Sequence, residues 1–183
     1  LEGFDATPEA PATRLLLADL LFEGASYEEA ATEYERAAYA YPAGPQSARA
    51  GYAALVAFEK AESAAPGVAR AGLRQRATES SLRFADTFPE AAEVPAVLTR
   101  TTRVLFDAGD RERAEAVAQR VLALGARADA SQQRVAWTVL AHTYFDSERY
   151  AQAEQAYAEL ARRAATDDPE RSEIVERLAA SVY

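Results

Sequence analysis

A chain of 183 residues with a formal net charge of −9, no cysteine and a single lysine, Lys60, excludes several roles at once. An acidic chain repels phosphate backbones, so nucleic acid is not an expected partner. Without cysteine there is no disulfide framework, thiol nucleophile or thiolate metal site, and the longest apolar run, AALVAF at 53–58, is far too short to insert directly into a membrane.

Alanine supplies much of the apolar content, and leucine, glutamate, arginine and glutamine favour helix with it. No run alternates polar and apolar residues over a strand's length without also fitting a helix, so the expected class is all-α. Residues 1–12 carry Gly3, Pro8 and Pro11 and read as a linker. From Thr13 the pattern becomes helix, short break, helix. TRLLLADLLFEG ends at Gly24, and the next segment opens with Ser26 and Glu29, the spacing of a capping box, and closes at Pro42. The hairpins are expected at about 13–42, 46–89, 95–126 and 132–165, with a final helix at 169–183 that starts on Pro169. Loops this short between such helices force antiparallel neighbours.

The last hairpin carries Trp137, then Leu140-Ala141, then Tyr144, then Ala153 nine residues on and Tyr157 four later. The first repeats the offsets with Leu17-Ala18, Leu21, Ala30, Tyr34 and Ala37. The third gives Leu105, Ala114, Ala118 and Val121. Alanine at 30, 114 and 153 fits a place where two helices approach too closely for a larger side chain, and Leu21, Leu105 and Tyr144 fill the groove beside it. The second hairpin departs from the pattern. It keeps Leu55, but about thirteen extra residues separate Pro42 from Pro89, so longer helices are expected there.

These residues resemble the tetratricopeptide repeat (TPR), whose signature is W-x2-L-G-x2-Y followed by A-x3-F and a closing proline. The resemblance covers roughly residues 13–165 and makes the tail look like the first helix of a truncated repeat. It implies an α-solenoid of antiparallel helix hairpins wound as a right-handed superhelix. Its implied role is a non-catalytic scaffold holding a peptide or protein segment in a concave groove. Bacterial members often serve in envelope assembly, secretion or complex scaffolding, an analogy of fold alone. The alternative is a structural repeat segment of a longer protein that mediates intrachain packing or self-association. The chain starts at Leu1 and contains no methionine, which reads as a piece excised from something longer and leaves the compartment and oligomeric state open.

The groove residues expected by offset are Asp19, Phe22, Glu23, Arg103, Phe106, Asp107, Thr138, His142, Phe145 and Asp146. Acids outnumber bases among them, so the expected partner has basic character with some apolar residues. Phe22, Phe106 and Phe145 recur with an acid beside each, which suits a stacking ladder or packing between repeats. Trp137 falls on the signature aromatic and is expected to pack. His142 is the one histidine; Ser131, Ser147 and Asp146 show no converging triad by spacing, so no catalytic residue, metal ligand or cofactor is expected. Arg70, Arg74 and Arg76 could meet an anion, but on an exposed helix they read as solvated. TDDPE at 166–170 lacks the alternating oxygens of a calcium loop and reads as a helix cap at Asp167 or Asp168.

Overall fold

Turn geometry decides where the helices stop. In three places the chain leaves a helix through a residue with positive φ: Ala25 at 60°, Gly109 at 81° and Glu148 at 59°. The same pair of bonds closes each turn. Ala25 N–H donates to the Phe22 carbonyl and Ser26 N–H to that of Leu21, at 3.0 and 2.9 Å. Gly109 and Asp110 repeat this on Phe106 and Leu105, and Glu148 and Arg149 on Phe145 and Tyr144. This is the Schellman ending, which satisfies carbonyls that a helix C-terminus otherwise leaves without donors.

The computed structural model describes residues 10–163 together with 176, 177 and 179. Its helices are α1 (Ala10–Glu23), α2 (Tyr27–Tyr39), α3 (Ser47–Ala64), α4 (Gly67–Thr87), α5 (Val94–Asp107), α6 (Arg111–Ala123), α7 (Ala130–Asp146) and α8 (Tyr150–Arg163), with a 3-10 turn at Gly125–Arg127. No strand occurs among the described residues, and the architecture is all-α, built of antiparallel helix hairpins. Two compact units divide the chain, Leu1–Val94 and Pro95–Tyr183. The first holds the α1/α2 and α3/α4 hairpins, and the second holds α5/α6 and α7/α8. The final helix expected at 169–183 and the TDDPE segment lie outside the described residues but for 176, 177 and 179, which are helical.

The alanines do what their spacing requires. Ala30, Ala114 and Ala153 are completely buried, and so are Ala18, Thr102 and Ala141 at one shared register on the first helix of each hairpin. Small side chains on both helices let the backbones come close, and close-packed interiors leave no room for an added methylene. Leu105 and Tyr144 are buried beside them, and Leu21 packs half-buried on the same core as Ala30. In the second unit, Glu115 of α6 receives both arms of Arg149 at 3.1 and 2.6 Å, which ties the two hairpins together across their rim.

Local expectations fared unevenly. The linker gives way to α1 at Ala10, which is fully buried, and Pro11 sits in the first turn, where its missing N–H costs nothing. The capping box at Ser26 and Glu29 does not form: Ser26 makes no side-chain cap bond. Its own N–H is already held by Leu21 in the Schellman turn, so Glu29 has no donor to reach back to. The box occurs instead at Asp129 and Gln132, where both reciprocal bonds measure 2.9 Å.

The extra residues of the second hairpin lengthen α3 to 18 residues and α4 to 21. Gly51 makes the packing of α3 possible. A Cβ there would lie 3.1 Å from Phe84, from Phe88 and from the Tyr39 hydroxyl. The arginine cluster is at work within this unit. Arg70 donates to the Glu62 and Ala65 carbonyls at the end of α3, Arg74 pairs with Glu62 at 2.7 Å, and Arg76 pairs with Glu28 while lying over the Phe58 ring.

A residue with a Cβ pays about 1–2 kcal/mol to hold the left-handed conformation. Ala25→Gly and Glu148→Gly should therefore each stabilise the fold by about 0.5–1 kcal/mol after the entropy of glycine is counted, while Gly109→Ala should destabilise it by ~1 kcal/mol. No atom lies within 4 Å of a Cβ added at Gly109, so that cost would be conformational alone. Urea denaturation of the three variants measures these differences, and a loss of stability in both glycine variants would contradict the turn assignment.

Candidate interaction face

The first and last hairpins carry one four-residue constellation. In the first, Phe22 meets Tyr27 edge-on at 5.2 Å and Tyr34 at 6.5 Å between ring centroids. In the last, Phe145 meets Tyr150 at 5.7 Å and Tyr157 at 6.3 Å, again edge-on. The fourth member holds the second tyrosine's hydroxyl: Tyr34 donates to Asp19 at 2.6 Å, and the Tyr157 oxygen lies 3.3 Å from Nδ1 of His142. Edge-to-face pairs add to the area that such rings already bury, so each cluster pins its two helices at the open side of the turn.

The third hairpin keeps the phenylalanine, Phe106, and replaces the other three members. Arg111 stands where the others have Tyr27 and Tyr150, and its guanidinium lies 3.9 Å from the Phe106 ring centre while donating to the Phe106 carbonyl. Ala118 stands where the others have Tyr34 and Tyr157. With no tyrosine to engage it, Phe106 meets the His142 ring at 6.2 Å, joining α5 to α7.

The turn, the buried alanine and the aromatic position thus recur together in three hairpins. The hairpins are TPR-like. Among solved structures the TPR-like chain is similar to a thermophilic TPR protein of Thermus thermophilus, at 20% identity and a TM-score of 0.46, with 94% of this chain and 99% of that chain covered. No family model matches the chain, and no curated protein matches it either.

The ten residues expected to line a groove fall into different situations. Asp19 and Phe22 are engaged inside their own TPR-like hairpin, and Glu23 is exposed at the end of α1. In the second unit Phe106, His142 and Phe145 form a half-buried aromatic row through Tyr157, with Asp107 and Asp146 exposed beside it. Asp146 lies 3.8 Å from Arg111, which already balances part of its charge. Thr138 donates to the Arg134 carbonyl. Arg103 lies away from the row: it lines a groove of about 260 Å³ between α5 and α7 with Ala96, Arg100 and Val135.

Phe22 and Phe145 each already meet two tyrosines of their own hairpins. Offset reasoning passes over Tyr27 and Tyr150 and takes Tyr34 and Tyr157 only as signature positions, although Phe-x4-Tyr-x6-Tyr stands twice in the sequence. The two serines weighed for His142 are elsewhere. Ser131 lines the Arg103 groove, about 16 Å along α7 from the histidine, and Ser147 donates to the Thr143 carbonyl. Trp137 is half-buried, with the Arg163 guanidinium 5.6 Å from its ring.

Burial pushes the Tyr34 phenol well above its usual range, and the hydrogen bond and negative charge of Asp19 add to the shift. Tyr39 is raised to about 12, chiefly by burial and then by Glu35. An unfolded chain loses these protons near pH 10 while the folded protein keeps them, so stability should fall as pH rises from about 10 to 12 and be unaffected by these groups below that window. Tyr34→Phe should cost ~1 kcal/mol at neutral pH and flatten the alkaline decline. Urea midpoints at pH 8, 10 and 11 check this; parallel declines in both proteins would contradict it.

Proposed function

We propose that this TPR-like protein is a non-catalytic interaction scaffold that holds a protein or peptide segment on the α5–α7 face of its second unit. The observation that supports it is the contact of Phe106 with His142. Two helices from successive hairpins there share a half-buried aromatic surface edged by the exposed carboxylates Asp107 and Asp146. Flat rings supply contact area at little conformational cost, and charged neighbours select among partners. Locally the charges are mixed, since Arg111 stands near Asp146. The preference for a basic, partly apolar segment rests on Asp107 and on the long-range field of a chain with a net charge of −9. Among the described residues no helix is long and apolar enough to cross a membrane.

Affinity for an immobilised panel of basic-apolar peptides, read by surface plasmon resonance, tests the proposal. Phe106→Ala should weaken binding roughly tenfold, mainly through faster dissociation. Asp107→Lys should slow association and reduce its salt dependence. Glu154→Lys makes the same charge change on the exposed side of α8 and should do little by comparison. Binding that survives Phe106→Ala but fails in Glu154→Lys would move the partner off this face.

A further inference from the structure

The first helix is apolar on two sides. Ala10, Leu15 and Ala18 are buried against the first unit, yet Leu16, Leu17 and Leu20 on the other side are 63, 44 and 66% exposed. With Ala12 and Thr13 they make one stripe that carries no charge until Glu23. The matching positions of α7, in the register that aligns Ala18 with Ala141, are Val139, Leu140 and Thr143, at 4, 2 and 1% exposed. There α6 of the preceding hairpin packs against α7. So α1 presents outward the face that the second unit covers with a neighbouring helix. A helix apolar all round belongs in an interior.

We propose that this stripe is a self-association surface, covered by α1 of a second copy. The argument for that occupant is complementarity. Among the described residues the other exposed large apolar side chains, Tyr52, Val68 and Tyr150, stand singly, and the exposed positions of α8 are mostly polar, so α1 is the surface that can offer leucines to leucines. The stripe runs from Ala12 to Glu23 and is centred near Leu17. Two copies crossing antiparallel about a two-fold axis there set the Leu16–Leu20 patches face to face. Glu23 of each copy then reaches the uncharged Ala12–Thr13 end of the other, and no like charges meet. Three leucines make a patch at the low end of specific interfaces, which fits a weak, reversible dimer rather than an obligate one. Two chains of net charge −9 repel one another at long range, so added salt should strengthen this pairing, the opposite of the salt effect expected for a basic partner on the α5–α7 face.

Sedimentation velocity on the full 183-residue chain, from about 10 µM to 1 mM, tests the proposal. The mass should rise from one chain toward two, and more so at 0.5 M than at about 0.05 M salt. Leu16→Glu with Leu20→Glu should reduce the association constant at least tenfold while circular dichroism stays unchanged, since both side chains are exposed. Mixing that variant with Leu16→Lys, Leu20→Lys should restore the two-chain mass through paired opposite charges. A one-chain mass at every concentration, or a dimer indifferent to the glutamate pair, would overturn it.

Discussion

Close approach of two helix backbones at a fully buried alanine is the constraint on which the rest of this molecule depends. Ala30, Ala114 and Ala153 each lie opposite a helix whose matching residue, Ala18, Thr102 or Ala141, is also short and equally buried. Each N–H of the three alanines donates to the carbonyl of the residue that opens its helix, Ser26, Asp110 or Arg149. The Schellman turn therefore fixes the distance along the chain from the helix end to the contact. Turn and contact together set which side chains can meet across a hairpin, so one register serves the packing and the surface alike.

That register explains why chemically different residues hold equivalent posts. Asp19 and His142 both face a tyrosine hydroxyl because Tyr34 and Tyr157 occupy one position on the second helix. Arg103 holds the same post in the third hairpin, but Ala118 offers it no hydroxyl, and it turns up in the groove between α5 and α7. The loss of that tyrosine also leaves the Phe106 ring free to meet His142. A substitution inside one hairpin thereby produces the contact between two hairpins on which the proposed binding face rests.

Much of the fold was legible because small residues and breaks are punctuation that tertiary context seldom overrides. Alanine at a fixed nine-residue offset, with Gly24, Gly109 and proline at the ends, locates the hairpins without any homologue. The turns themselves were harder to read, since only Gly109 advertises a left-handed residue and Ala25 and Glu148 adopt the same conformation under tertiary constraint. The cap at Ser26 looked right by residue type and failed because the turn before it had already taken the N–H. The candidate site was legible as positions rather than as contacts. Offsets picked out Phe22 and Phe145, yet nothing in their spacing alone distinguishes a ring open to a partner from one already met by two tyrosines. The exposure of Leu16, Leu17 and Leu20 was hidden for a related reason: Leu17 is the signature leucine, which is buried when its neighbour is present, as Leu140 is.

The most direct test of the close-approach account compares two substitutions two residues apart on α8. Ala153 is fully buried and Ala151 is exposed on the same helix. Ala153→Leu should destabilise the protein by roughly 1–3 kcal/mol in urea denaturation, because the added atoms force the hairpin apart, whereas Ala151→Leu should change stability by less than about 0.5 kcal/mol. Equal effects at the two sites would contradict the claim that the alanine contact sets the register of the hairpins.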